Sequence, residues 1–152
     1  MNIEYAAKAI IIIDNHILLI RNKDNFGEWY CLPGGRQIFG ETLEETLKRE
    51  CFEEVGIEIK SFNLAFIREY IHKNHKFRDL GINMHKVEFM YLCESNASIF
   101  IAAIGNKPDK NHQETKWVEI GDLPKLRIFP TRLKKLKNML NSNGPQYWGD
   151  EL

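Results

Sequence analysis

The sequence has few cysteines and no long uninterrupted apolar run. Its three cysteines, Cys31, Cys51 and Cys93, are odd in number, widely spaced and form no CxxC pair, which argues against a disulfide framework or a zinc site. The apolar N-terminal stretch contains Lys8 and is interrupted by Asp14-Asn15-His16, so it fits neither a signal peptide nor a membrane span. We therefore expect a cytoplasmic protein with reduced, buried thiols.

Excess charge is also missing. Lys plus Arg and Asp plus Glu both number 21, so the formal net charge is zero. Nothing in this balance favours nucleic acid or an anionic membrane as a partner. The 152 residues are enough for one domain with its own hydrophobic core. We expect that domain over residues 1–141 and a polar, aromatic tail over residues 142–152.

The apolar pattern predicts strands, then one central helix, more strands and a last helix. Residues 5–13 and 17–21 read as a β-hairpin around Asp14-Asn15, residues 22–30 as a polar loop, and Pro33-Gly34-Gly35 as a break in regular structure. Further strands are predicted within 57–71, over 85–93 and over 116–120, a loop over 73–83 and a helix over 131–140, while residues 95–113 stay ambiguous. This order predicts an α+β fold with a mixed sheet between helices.

The central helix, over residues 42–55, carries the most informative pattern. Leu43, Leu47, Cys51 and Val55 recur every four residues and predict one buried stripe, and Gly56 is placed to end the helix. Beside the stripe, Glu50, Glu53 and Glu54 stand at i, i+3 and i+4 and project from one side.

Three carboxylates this close repel one another unless a cation lies among them. Mg²⁺ or Mn²⁺ with oxygen ligands fits that need, and the Gly35 carbonyl can add a further oxygen. Arg49 can pair with Glu41 or Glu53 in an orienting role. Acid count alone favours a solvated helix face, so the functional interpretation rests on the complete spacing over residues 35–57.

That spacing places Gly35, Glu41, Arg49-Glu50, Glu53-Glu54 and Gly56-Ile57 at fixed intervals. It resembles the signature box of the Nudix hydrolases at every fixed position, and Leu32-Pro33-Gly34 is similar to the usual lead-in. Cys51, where the family more often has an aliphatic residue, is a mild departure that a small buried thiol satisfies.

The resemblance implies an αβα sandwich and Mg²⁺-dependent hydrolysis of the diphosphate bond in a nucleoside diphosphate linked to another group. It also implies that Glu50, Glu53, Glu54 and the Gly35 carbonyl bind the metal, with Mn²⁺ as an alternative ion. The general base is left open between Glu53 and Glu114, which resembles a family glutamate placed three residues before a tryptophan on a loop.

Substrate contacts are predicted more loosely. Arg36, Arg68 and Tyr70 are the candidates for binding phosphates and base, with Arg21 and Arg78 as further arginines and Phe26, Trp29, Tyr30, Phe66 and Trp117 as further aromatics. Aromatics of this kind are more often core residues than stacking platforms. The proline downstream of the box that marks many ADP-ribose pyrophosphatases is not found. The alternative function is a non-catalytic, nucleotide-sensing Nudix-like domain, and the tail can dock on its own domain or on a second subunit of a homodimer.

Overall fold

The structure is a computed structural model that describes residues 2–75, 83–96 and 112–152. Most of the ambiguous segment 95–113, most of the predicted loop 73–83, and Arg78 lie outside the described residues. Among the described residues, no helix is long and apolar enough to cross a membrane.

The first two strands form the predicted hairpin. Strand β1 spans Glu4–Ile13 and strand β2 spans His16–Asp24, and Asp14 and Asn15 turn the chain with φ of 48° and 62°. Two successive residues at positive φ suit the twist of a two-residue hairpin, and Asp and Asn tolerate that conformation best among non-glycine residues. The prediction of a hairpin is confirmed.

The predicted loop over residues 22–30 is wrong. Strand β2 continues to Asp24 and pairs with strand β3, Gly27–Cys31, in a second hairpin. On its other edge β2 pairs with strand β7, His112–Glu119. Most of these residues are polar, so the apolar pattern did not predict them as strand. Their strand conformation comes from backbone hydrogen bonds to neighbouring strands on both sides.

Strand β4, Gly34–Arg36, corrects a second prediction. The glycines do not break regular structure: they pair antiparallel with β1, Gly34 opposite Lys8 and Gly35 opposite Ala7. Strand β1 pairs with β2 only at Ile12 and Ile13, so the two strands diverge. They open the sheet into two limbs, in the orders β4-β1-β6-β5-β9 and β7-β2-β3-β8. The strands not yet described are β5 (Ile59–Ile71), β6 (His85–Ser95), β8 (Ile128–Phe129) and β9 (Gln146–Asp150).

The remaining strands make the sheet mixed. Strands β5, Ile59–Ile71, and β6, His85–Ser95, are antiparallel, whereas β6 is parallel to β1. Strand β8, Ile128–Phe129, lies parallel to β3. The predicted α+β class with a mixed sheet is confirmed, and β7 begins four residues earlier than the predicted strand at 116.

Helix α1 spans Leu43–Val55 and behaves as its sequence predicts. Thr42 caps it in a reciprocal capping box with Glu45, and Gly56 ends it at a φ of 67°. Leu47, Cys51 and Val55 are completely buried and pack against one face of β1 and its neighbours.

The opposite face of the sheet is covered by the chain's last part. The predicted helix over 131–140 is a 3₁₀ segment, Thr131–Lys135, followed by the short helix α2, Leu136–Met139. Leu133 and Leu136 are fully buried there beside Ile10 and Met90, a three-residue spacing that suits a 3₁₀ turn as well as an α-helix.

The tail residues belong to the sheet of their own chain. Strand β9, Gln146–Asp150, pairs in parallel with the outer edge of β5. Trp148 is 7% exposed and stacks on Phe66 with ring centroids 4.5 Å apart. The last residues therefore extend the core between the two limbs.

Candidate active site

The two glycines of β4 bring backbone close to the carboxylates of α1. Gly34 has a φ of 120°, and a Cβ there would lie 2.2 Å from the Ala7 carbonyl oxygen, so glycine alone fits this crossing. Its N–H donates to Oε2 of the buried Glu54 at 2.9 Å, and its carbonyl accepts from Lys8 Nζ at 2.6 Å. Glu54 is thereby fixed against the sheet rather than exposed to solvent.

Gly35 makes room for Glu50. A Cβ at Gly35 would lie 2.4 Å from Glu50 Cδ and 2.5 Å from Oε2, so the carboxylate occupies the space that any other residue would fill. Glu50 and Glu54 thus meet adjacent residues of the same short strand. The spacing of the sequence and the fold agree in placing these two carboxylates together.

Arg49 joins the other acids of this region. It binds Glu41 through two hydrogen bonds, Nε to Oε1 at 2.5 Å and Nη2 to Oε2 at 2.9 Å. Its Nη1 lies 2.8 Å from Glu50 and 3.5 Å from Glu53, and Nη2 donates to the Arg36 carbonyl at 3.2 Å. Both partners named from the sequence, Glu41 and Glu53, are therefore in contact with Arg49.

The Glu41–Arg49 pair is strongly ionised. Hydrogen bonding to Arg49 lowers the pKa of Glu41 to about 2, with further hydrogen bonds from the Ile38 N–H and the Thr46 hydroxyl acting in the same direction. The hydrogen bonds with Glu41 in turn raise the pKa of Arg49. The arginine is thus a permanent cation held on the side of α1 that carries the acids.

The donor set suits a hard divalent cation. Glu50, Glu53 and Glu54 supply only oxygen atoms, the ligand type that Mg²⁺ prefers, and the Gly35 backbone lies against Glu50. Among the described residues, however, no three His, Cys, Asp or Glu side chains are clustered closely enough to hold a metal as they stand. Arg49 and the Gly34 N–H hold Glu50 and Glu54 in this arrangement.

Glu114 does not lie where the sequence suggested. It belongs to strand β7 rather than to a loop, opposite Arg21 of β2. Arg21 Nε lies 3.0 Å from its carboxylate, and Arg21 Nη1 lies 3.2 Å from Glu28. The loop prediction missed this pairing because strand β7 is polar along its first residues.

A cavity of about 370 Å³ opens between the two limbs. Arg68 and Tyr70, both predicted substrate contacts, line it, and so do Phe26 and Trp29. Arg36 is not among the lining residues; it is largely exposed and pairs with Glu4 at 3.0 Å. The predicted aromatics Tyr30 and Phe66 are core residues, and Trp117 packs against the core beneath α1.

Sequence reasoning missed several lining residues. They are Asp24, His72, Met84, Lys86, Arg127, Phe129 and Leu152. Only Lys86 left a usable signal, because it alternates with Val87 and Phe89 and so lies on the other face of a central strand.

A buried ion pair lies in the wall of this cavity. Arg68 Nε binds Glu88 at 2.6 Å, and both side chains are buried. Burial raises the pKa of Glu88, but the charges of Arg68 and Lys8 outweigh it and leave that pKa lowered. Lys8 in turn binds the Gly34 carbonyl beside Glu54. Lys8 thus acts electrostatically on Glu88 and binds the strand that holds Glu54.

Comparison with known proteins assigns this arrangement to a family. The sequence profile of the NUDIX domain matches residues 4–139. This chain belongs to the Nudix hydrolase family. The ADP-ribose pyrophosphatase of Methanocaldococcus jannaschii is 31% identical over 133 residues, which are 86% of this chain and 70% of that protein.

Solved structures agree with the fold. A MutT Nudix hydrolase from Burkholderia pseudomallei superposes with a TM-score of 0.70 at 26% identity, covering 90% of this chain and 99% of that one. A MutT protein from Bacillus halodurans gives a TM-score of 0.69 at 21% identity, over 96% and 88% of the two chains. The chain is a Nudix-type pyrophosphohydrolase, an enzyme that acts on acid anhydrides in phosphorus-containing compounds.

Proposed function

We propose that this Nudix hydrolase cuts the diphosphate bond of a nucleoside diphosphate linked to another group, by attack of water on phosphorus. The observation that carries the proposal is the meeting of Glu50 and Glu54 with Gly35 and Gly34, beside an Arg49 already engaged by Glu41. A diphosphate needs its negative charge neutralised before a nucleophile can approach, and this is the part of the molecule suited to that task.

In the proposal Glu50, Glu53, Glu54 and the Gly35 carbonyl bind Mg²⁺, with Mn²⁺ as an alternative. The bound ion supplies charge neutralisation and a more acidic water. Glu54 is oriented by the Gly34 N–H, and Glu50 is confined by the Gly35 backbone. Because these two carboxylates are already held in place, they need little rearrangement when the metal ion binds.

Arg49 is proposed as a positioning residue. Its two hydrogen bonds to Glu41 leave Nη1 facing Glu50 and Glu53, which orders these carboxylates and lessens their mutual repulsion. The general base is Glu53 or Glu114. We favour Glu53 because its ion pair with Arg49 holds it beside the other carboxylates of α1. Glu114 instead forms an ion pair with Arg21.

The substrate is proposed to place its nucleoside in the cavity between the limbs. Aromatic rings of Phe26, Trp29, Tyr70 and Phe129 in its wall suit stacking with a base or packing against a sugar. The M. jannaschii relative is named an ADP-ribose pyrophosphatase, so ADP-ribose is the first compound to test. A cytoplasmic location fits such a substrate and the three free thiols.

A product screen with Mg²⁺ or Mn²⁺ tests the proposal. ADP-ribose, nucleoside diphosphate sugars, dinucleoside polyphosphates, nucleoside triphosphates and dinucleotides are incubated with the enzyme, and nucleotide products are separated by chromatography. Hydrolysis of at least one compound, abolished by chelation and by Glu53→Gln or Glu54→Gln, is expected. Tight binding of one compound with no cleavage would favour the alternative, a nucleotide-sensing domain.

The base is assigned by a separate comparison. Glu53→Gln and Glu114→Gln are assayed with the same compound, since glutamine keeps the size of the side chain and removes its basicity. The variant that keeps wild-type kcat is not the base.

A further inference from the structure

Three cationic residues line the cavity: Arg68, Lys86 and Arg127. An anionic ligand in this cavity would meet all three, but their charges are not equally available. The contacts of each cation within the protein decide which of them is free to bind a phosphate group.

Arg127 is already matched by an acid. Its Nη1 and Nη2 bind the two carboxylate oxygens of Asp24 at 2.8 and 2.9 Å. Its guanidinium lies 5.7 Å from the centroid of Phe26 and 5.6 Å from that of Phe129. A bidentate pair held between two rings acts as a neutral, flat part of the wall.

Arg68 is also paired with an acid, through a single hydrogen bond to its carboxylate. Its Nε binds Glu88 at 2.6 Å, and its Nη1 donates to the Glu151 carbonyl at 2.7 Å. Both Arg68 and Glu88 are buried. The pair joins β5, β6 and the tail, and little of its charge is left for a ligand.

Lys86 differs from both arginines. It is half-buried on β6, between Tyr70 of β5 and Glu4 of β1 in register, and in the described part of the chain its ammonium makes no hydrogen bond or ion pair within 4.0 Å. Burial lowers the pKa of Lys86, and the Glu88 carboxylate opposes that shift. A partly desolvated charge without a partner costs free energy, so a charged Lys86 lowers the stability of the folded protein.

The other charged residues around Lys86 lie on the strands packed against it and in the cavity wall. Lys8 and Glu4 lie on β1, Arg68 on β5 and Glu88 on β6 itself, while Asp24 and Arg127 pair with each other in the cavity wall. Glu88 and Asp24 are each committed to an arginine. A ligand anion would therefore add the direct partner that Lys86 does not have.

We infer that Lys86 binds a phosphate group of the substrate in this cavity, and that Arg68 and Arg127 shape the walls. The inference rests on the proposed function for its ligand. The main phosphate contact is then Lys86 on β6, rather than Arg36 or Arg68, which were predicted from the sequence. Lys86 lies two residues before Glu88 on β6, and Lys8, which binds the Gly34 carbonyl, also acts electrostatically on Glu88.

Calorimetry with two probes tests this inference. ADP-ribose carries the diphosphate and adenosine does not. Both are titrated in EDTA into wild type, Lys86→Gln, Lys86→Arg and the control Lys73→Gln, which removes an exposed lysine next in sequence to the cavity residue His72. Losing one charge-assisted contact should raise the Kd of ADP-ribose about tenfold or more in Lys86→Gln. Adenosine binding should change less than about twofold, Lys86→Arg should retain most of the affinity, and Lys73→Gln should match wild type.

Stability and pH give readouts that a purely structural role would not move. Lys86→Gln should keep or raise the Tm, because it removes a charge that folding desolvates. The wild-type Kd for ADP-ribose should rise with alkaline pH as the ammonium loses its proton, at lower pH than for an exposed lysine, and this rise should vanish in Lys86→Gln.

The outcomes separate this inference from the proposed function. Hydrolysis by wild type with an unchanged Kd and KM in Lys86→Gln would refute the role of Lys86 and leave the function intact. Weaker ADP-ribose binding in Lys86→Gln, with no compound cut in the screen, would support Lys86 and refute hydrolysis. Equal losses for ADP-ribose and adenosine, or no nucleotide binding by the wild type, would also overturn the inference.

Discussion

Alanine at Gly35 tests the placement of Glu50 with the smallest added side chain. The new Cβ would lie 2.4 Å from Glu50 Cδ, whereas ordinary contacts begin at 3.4 Å, so the carboxylate must retreat by about 1 Å. Gly35 is not held at positive φ, which leaves the backbone of β4 compatible with alanine. The variant should therefore fold and keep strand pairing with β1.

The expected effect falls on catalysis. A misplacement of about 1 Å can cost on the order of 100-fold in rate, so kcat on the compound cut in the screen should fall by about that factor. Because the carboxylate can swing away from the new methyl, the Tm should drop by only a few degrees, corresponding to about 1 kcal/mol. Steady-state kinetics and scanning calorimetry measure the two quantities.

Gly121→Ala is the matched control. A Cβ at Gly121 would meet only Glu119 Oε1 at 3.9 Å, so the same chemical change meets open space. Its kcat and Tm should equal those of wild type. If folded Gly35→Ala keeps kcat within about threefold, well short of that loss, the position of Glu50 against β4 does not matter for turnover and the reasoning is refuted.

Two further predictions concern pairs that the fold creates. Glu41→Gln removes the partner of Arg49; because the folded pKa of Glu41 is lowered to about 2 from 4.5, the pair stabilises the wild type fully above pH 4.5 and loses this effect as pH falls towards 2. Urea unfolding at a series of pH values should show wild type and variant converging at low pH, and a constant difference would contradict the ion pair. Trp148→Ala should cost about 3–5 kcal/mol in urea unfolding, because this ring is buried against Phe66. Tyr147→Phe is its control, since that exposed side chain loses only a hydroxyl bonded to Glu69, and a stable Trp148→Ala would show that β9 is dispensable.

The tail lies beyond the region that matches the family. The NUDIX domain profile ends at residue 139, yet β9 adds a strand to the sheet and Glu151 holds Arg68. Leu152 also lines the cavity. Residues outside the matched region thus shape the place where we propose that substrate binds, and the signature box does not include them.

The sequence by itself determined helix α1 and the side on which its carboxylates lie. A buried stripe at Leu47, Cys51 and Val55, a cap at each end and carboxylates at i, i+3 and i+4 are local properties, since neighbours on a helix are set by 3.6 residues per turn. The β1–β2 hairpin was equally local, because its two turn residues and flanking apolar runs lie within a few positions.

Only the tertiary structure decided the cavity. Arg127 meets Asp24 across 103 positions and Arg68 meets the Glu151 carbonyl across 83, and no local pattern encodes such pairs. The same holds for strand β3, for Glu114 within β7 and for the tail strand β9, whose backbone partners come from distant strands. The role proposed for Lys86 is an example. Strand alternation predicts the face of β6 on which Lys86 lies, but only the structure shows that both arginines of the cavity are paired with acids and that Lys86, within the described residues, is not.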